Sequence, residues 1–200
     1  MSEEGRPRRP HTGRRRNDAA RQAVLDVTLD LMRSGNADVT IDAIARAAGV
    51  GRQTIYRWWP SKGAVAAEAL ASHARATVPV SDTGSLTADL TAFLAASFVS
   101  LRDDRTRSLL RRMMAAAQAD EHVAATLADF TAARRATLRE LLSRGQARGE
   151  LPGGADLEML TDMAYGVLWY RVLVGHAPLD DQAAKSLATC LVAAGAAGAR

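Results

Sequence analysis

The segment Arg52-Gln53-Thr54-Ile55-Tyr56-Arg57-Trp58-Trp59 gathers long polar side chains into eight residues. Wound as a helix, it turns Ile55 and Trp59, four residues apart, to one side. Arg52, Gln53, Thr54, Tyr56 and Arg57 are left on the other, with Lys62 just beyond. Those side chains suit a nucleic-acid groove: Arg matches guanine O6/N7, Gln matches adenine N6/N7, and Tyr, Thr and Lys reach phosphate. Bond-making chemistry has no comparable cluster. His11, His73, His122 and His176 are scattered, with no His-x3-His or Glu-x-x-His pair. The single cysteine, Cys190, lies in an apolar segment without a basic neighbour, and hydroxyls such as Ser61 and Ser72 have no recognisable triad partner. The expectation is no enzyme, no metal site and no cofactor.

Short apolar-periodic segments must hold that polar face. Thr40 is a good N-cap for a helix running through Ile41, Ile44 and Ala45 to Ala48. Gly49-Val50-Gly51 then makes a tight turn, and Pro60 ends the polar helix. The helix–turn–helix pattern spans 40–59; in such a pair the first helix braces on the DNA backbone and the second enters the major groove. Behind it, Val24, Leu25, Val27, Thr28, Leu29, Leu31 and Met32 predict a first helix with Asp18 as N-cap and a stop at Gly35. Ser61 caps a fourth, containing Val65 and Leu70. Residues 18–76 thus read as one unit. Met1–Asn17 carries Arg6, Arg8, Arg9, Arg14, Arg15 and Arg16 without apolar periodicity, and reads as a flexible basic arm. Residues 1–75 hold 13 basic against 8 acidic residues, whereas 76–200 hold 13 against 14. The front of the chain is the part suited to a polyanion.

Hydrophobic residues are 48%, charged 24% and aromatics only 4%. A core of Ala, Leu, Val and Met favours helices over sheets, and no strand-length alternation occurs. The fold expected is all-α, with about nine helices. Thr77–Ser85, with Pro79 and Gly84, is the linker to a second domain over 77–200, whose helices fall at about 85–103, 105–119, 121–148, 156–175 and 181–195. In 156–175, almost no polar face remains after Asp162, so both sides must be covered. One side suits the protomer's own core; the other suits a twin subunit, with 181–195 (Leu187, Leu191, Val192) completing a four-helix interface. A helix buried within a monomer is the alternative. The uncharged stretch Ser186–Ala199 is shorter than the ~18 residues needed to span a membrane. The Arg-rich start lacks an apolar segment behind it, so a cytoplasmic protein away from membranes is expected.

The constellation Thr40-Ile41-(x)2-Ile44-Ala45-(x)2-Ala48-Gly49-Val50-(x)3-Thr54-Ile55-Tyr56-(x)2-Trp59-(x)2-Lys62 resembles the DNA-binding signature of the TetR/AcrR family of bacterial transcriptional regulators. The segment Ile55–Lys62 resembles that of one large subgroup. The resemblance is dense over 18–75; over 76–200 it extends only to the helical plan. It implies an N-terminal three-helix DNA-binding domain joined to a C-terminal ligand-binding and dimerisation domain. It further implies that Thr40, Tyr56 and Lys62 contact phosphate, and that Arg52, Gln53 and Arg57 face the groove. Thr54 would meet a phosphate or a thymine methyl, and Trp58 would pack beside the sugar–phosphate backbone. Gly51 is a departure: the family usually has Ser as N-cap there, so one hydroxyl contact is missing.

The same resemblance implies an effector pocket among the middle helices, with Phe98, Met113, Met114, Phe130, Trp169, Arg171 and His176 as candidate lining. Arg171 sits on an apolar stripe with Ala164, Val167 and Leu168; pairing with an acid across a dimer is favoured over binding an anionic ligand or reaching solvent. The function implied is a ligand-released repressor that binds a pseudo-palindromic operator as a homodimer. A helical ligand carrier or scaffold, and non-specific nucleoid binding, are the alternatives; loss of operator binding on changing Arg52 or Tyr56 separates the first from them, and competition with random DNA the second.

Overall fold

A computed structural model describes residues 12–34, 39–77 and 81–198. Among these, every regular element is a helix: α1 (Thr12–Arg33), α2 (Ile41–Ala48), α3 (Arg52–Trp58), α4 (Lys62–Thr77), α5 (Leu86–Val99), α6 (Asp104–Ala117), α7 (Glu121–Ala147), α8 (Leu157–Val174) and α9 (Asp181–Ala197). The expected arm lies outside the described residues over 1–11, but α1 begins at Thr12, so Asp18 falls inside a helix and is not its cap. The extension includes Arg14, Arg15 and Arg16, and Arg is nearly as good a helix former as Ala.

Side-chain caps set the other starts except that of α3. Thr40, Ser85, Asp103, Asp120, Asp156 and Asp180 each accept a backbone N–H from the first turn they precede. Ser61 does the same for α4, accepting from Ala64 N–H at 3.1 Å. Such caps contribute about 1 kcal/mol each.

The front unit stacks α1 on α4, with α2 and α3 against them around Val24, Leu29, Ile44, Ile55, Trp59 and Val65. In the rear unit α5 is central, lying between α7 and α9. Its Leu90, Phe93 and Phe98 are fully buried with Leu138, Leu141, Leu142 and Leu191. The two units share one core. Gly63, in the first turn of α4, lies so close to α7 that a Cβ there would come within 2.6 Å of Val123 Cγ2. Ser61 Oγ donates to Asp120 Oδ2 at 3.1 Å, and Arg105 Nη1 donates to the Arg33 carbonyl at 2.8 Å.

Only one side of α8 is covered. Leu160, Ala164, Leu168 and Val172 are buried, whereas Met159, Met163, Tyr170, Leu173 and Val174 are exposed. On α9, Leu187 and Leu191 are buried within the protomer.

Candidate nucleic-acid interface and the cavity behind it

The turn between α2 and α3 needs a left-handed residue, and Gly49 supplies it with φ of 66°. Val50 N–H then reaches back to the Ala45 carbonyl at 3.0 Å, ending α2. Thr54 and Ile55 N–H donate to the Gly51 carbonyl, which starts α3 without a side-chain cap. Ile55 and Trp59 are driven into the core. Arg52, Gln53, Tyr56 and Arg57 are thereby left exposed, with Thr40 and Lys62 exposed at the starts of α2 and α4. Thr54 and Trp58 are half-buried. Trp58 meets Trp59 edge-on at 5.5 Å, and the Arg57 guanidinium lies 5.7 Å from the Trp58 ring centre.

Two charge contacts stiffen this face. Arg52 Nε sits 3.1 Å from Asp42 Oδ1, joining α3 to α2. Glu68 of α4 takes the Trp59 indole N–H at 2.6 Å and the Arg21 guanidinium at 2.8 Å on the same oxygen. Arg21 also lies 5.3 Å from the Trp59 ring. The end of α3 is therefore clamped to both α1 and α4. Neither Asp42 nor Glu68 stood out in the sequence, because an acid on an otherwise basic helix pair looks like ordinary surface.

Behind the clamp, α4 also forms one wall of a cavity of about 70 Å³. Leu70 and His73 of α4 face Ser97, Leu101 and Leu110, with Phe130 and Arg134 of α7 and Tyr165, Leu168 and Trp169 of α8 completing it. Of the expected lining, Phe130 and Trp169 are here. Phe98 is fully buried in the core, and Met113 lines a second cavity, between Met32, Ile44 and Val123. Met114 lines neither. Arg171 donates to the Pro178 carbonyl at 2.6 Å, and His176 packs its ring 4.5 Å from that of Tyr170, both at the turn between α8 and α9.

His73 connects the cavity to α1. Arg33 Nη2 donates to its Nε2 at 2.9 Å, since a guanidinium can only donate. Burial, and then the Arg33 charge, hold the imidazole below its ordinary value. Tyr165 donates its hydroxyl to the Arg134 carbonyl at 2.9 Å, and burial pushes its phenol up. Arg134 was passed over in the sequence. It nevertheless falls in register with the buried Leu138, Leu141 and Leu142, the same sign that drew attention to Arg171.

The model for the bacterial regulatory proteins of the tetR family matches residues 24–69, and that for the tetracyclin repressor-like C-terminal domain matches 80–191. The chain belongs to the tetR family. It is a DNA-binding transcriptional regulator with an N-terminal helix–turn–helix domain and a C-terminal helical domain, and not an enzyme. It is 33% identical over 177 residues to YdeS, an uncharacterized HTH-type transcriptional regulator of Bacillus subtilis (strain 168), covering 88% of this chain and 89% of the relative. It is 31% identical over 171 residues to the DNA-binding transcriptional repressor TetR of Mycobacteroides abscessus, covering 83% and 88%. The crystal structure of the TetR family transcription regulator SCO0332 superposes with a TM-score of 0.77 at 32% identity, covering 88% of this chain and 97% of that one. Among the described residues no helix is long and apolar enough to cross a membrane, and no cluster of His, Cys, Asp or Glu could hold a metal ion.

Proposed function

We propose that the chain is a ligand-released repressor, acting in the cytoplasm as a homodimer on a pseudo-palindromic operator. One observation carries this reading. The helix that clamps the recognition helix through Glu68 is the same helix whose Leu70 and His73 wall the cavity, one turn further along. A ligand that fits the cavity better with α4 displaced would therefore move α3 and change its fit to DNA. The name of the Mycobacteroides abscessus relative supports repression over activation.

In the DNA complex, Arg52, Gln53 and Arg57 would read base edges, while Thr40, Tyr56 and Lys62 hold phosphates. Thr54 would touch a phosphate or a thymine methyl, Trp58 would lie along the backbone, and Gly51 would offer only its main chain. The front unit, α1 to α4, would serve DNA and the remaining helices effector binding and dimerisation. The uncovered stripe of α8, beside α9, supports a two-fold interface that presents two copies of α3 to two half-sites.

The test is a mobility shift on the intergenic DNA upstream of the chain's own gene. The wild type should retard it at nanomolar concentration, and Arg57→Ala should lose ~10–100-fold, equivalent to the ~1–3 kcal/mol of a base contact. Retardation equal to that of random DNA at the same salt would replace this reading with non-specific binding.

A further inference from the structure

The cavity contains a charge without a counter-charge. Arg134 is only 7% exposed. Its Nη2 donates to Ser97 Oγ at 2.7 Å, and its guanidinium lies over the Phe93 ring at 4.7 Å. Among the described residues no carboxylate pairs with it, and its side-chain partners, the Ser97 and Tyr165 hydroxyls, carry no charge. Two other arginines of the rear unit differ: Arg135 has Asp162 and Glu158, and Arg148 has Asp82, Asp89 and Glu150. A guanidinium cannot shed its proton within the physiological range, so burial does not neutralise it. Two neutral hydroxyls and a ring face compensate only part of the lost hydration.

We infer that Arg134 is the anion-binding residue of the cavity and that the ligand is a compact organic monocarboxylate. The planar fork of a guanidinium suits the two oxygens of a carboxylate. A single buried positive charge balances a monoanion and leaves a phosphate dianion half-compensated. Leu70, Phe130, Leu168 and Trp169 supply an apolar lining for the carbon skeleton. The space is small, about 70 Å³ against the ~150 Å³ that holds benzene in a protein core, which keeps that skeleton short or requires the walls to part for a ring. This inference rests on the effector reading above, and supplies the chemical class of the effector.

The test uses the full-length protein without DNA, with butyrate, isovalerate and benzoate as probes and their uncharged amides as controls. At least one acid should raise Tm by about 5–10 °C once in ~100-fold excess over its Kd. The matching amide, and chloride at equal ionic strength, should not. Arg134→Met should abolish the response while leaving the ligand-free Tm equal or higher, since it removes an unpaired buried charge. Arg134→Lys should keep a weaker response. No shift with any acid, an equal shift with amide or chloride, or a full response in Arg134→Met would overturn the assignment. A lower ligand-free Tm in Arg134→Met would also overturn it, by making the arginine a structural member of the core. Operator release by the same acids is read separately in a mobility shift. Acids that bind but leave DNA bound would sink the release mechanism and keep the site; operator binding with no response to acids would sink the site and keep the regulator.

Discussion

Arg52, the first residue of the recognition helix, is tied to Asp42 of the bracing helix through a 3.1 Å contact between Nε and Oδ1. The pair lies on the face proposed to meet DNA, and both side chains are more than half exposed, so it adds about 0–1 kcal/mol to folding. To reach a base, Arg52 must leave Asp42, and the carboxylate then faces the phosphates alone. Asp42→Asn should therefore raise operator affinity about 2–5-fold, with under ~0.5 kcal/mol change in stability. Fluorescence anisotropy on labelled operator measures this; a weaker complex would mean that Asp42 orients Arg52 for the groove.

Gly51 begins the same helix without a side-chain cap, in an extended conformation that any residue adopts. A Cβ added there meets nothing nearer than Thr54 Oγ1 at 3.9 Å. Gly51→Ser should fit without strain and add a few tenths of a kcal/mol of capping. In the proposed DNA complex its hydroxyl would also reach a phosphate, so operator affinity should rise about 2–5-fold, the equivalent of ~0.5–1 kcal/mol from one hydrogen bond. Unchanged affinity, with Tm raised, would confine its role to the cap.

Glu68 serves Trp59 and Arg21 with a single oxygen. Removing it leaves an indole N–H unpaired in a part-buried site, which costs about 1–2 kcal/mol. Glu68→Ala should lower Tm by about 2–8 °C and weaken operator binding by more than the same loss of stability elsewhere, because the end of α3 comes free. Glu68→Gln keeps an acceptor and should recover most of both. Thermal melts and anisotropy on the two variants separate the clamp from the ion pair.

The recognition helix could be read from the chain because its demands are local: a cap at Thr40, a left-handed glycine at 49, and Ile55 and Trp59 one turn apart. The rear helices fell within a few residues of the bounds expected, although the first was read through Asp103, which instead caps α6 after α5 has ended at Val99. The start of α1 was not legible, since no apolar periodicity marks the segment from Thr12 to Asp18 that the helix includes. The cavity was the least legible part. Whether Phe98 lines a space or fills one, and whether Arg134 or Arg171 turns inward, depends on how α4, α5, α7 and α8 meet, which no single helix encodes.

Several carboxylates give the fold an acid limit. Burial alone would raise Asp89, but the Thr83 N–H and hydroxyl, each at 2.8 Å, together with Arg148 and Arg144, bring it below its ordinary value. The Thr106 hydroxyl and N–H lower Asp103, and Arg148 with the Leu86 N–H lowers Glu150. A native value below the unfolded one means that the stability is fully present above the ordinary values, 3.8 for Asp and 4.5 for Glu, and is lost as pH falls through the lower native values. Tm should decline gently below about pH 6.5, where the unfolded chain takes up a proton that the buried His73 resists, and drop steeply below ~4.5. Asp89→Asn should lose about 1–2 kcal/mol at neutral pH and show a shallower decline below pH ~4. Parallel acid limbs in the two proteins would remove Asp89 from the account.

On α8, Met159, Met163, Gly166, Tyr170 and Leu173 follow one another at steps of four and three, all exposed, on the side away from the core. That spacing suits the seam of a helix pair, and in the proposed homodimer a second copy of the same helix would meet it isologously. Met163→Glu puts an unpaired charge into the seam without touching the protomer's core. The dimer should weaken by at least ~100-fold, since an uncompensated buried charge costs several kcal/mol. Light scattering should then show a monomer of unchanged helicity, and operator affinity should fall with it, because one recognition helix grips a single half-site poorly. A wild type that is monomeric at micromolar concentration would leave the stripe without a twin and the operator without its symmetry.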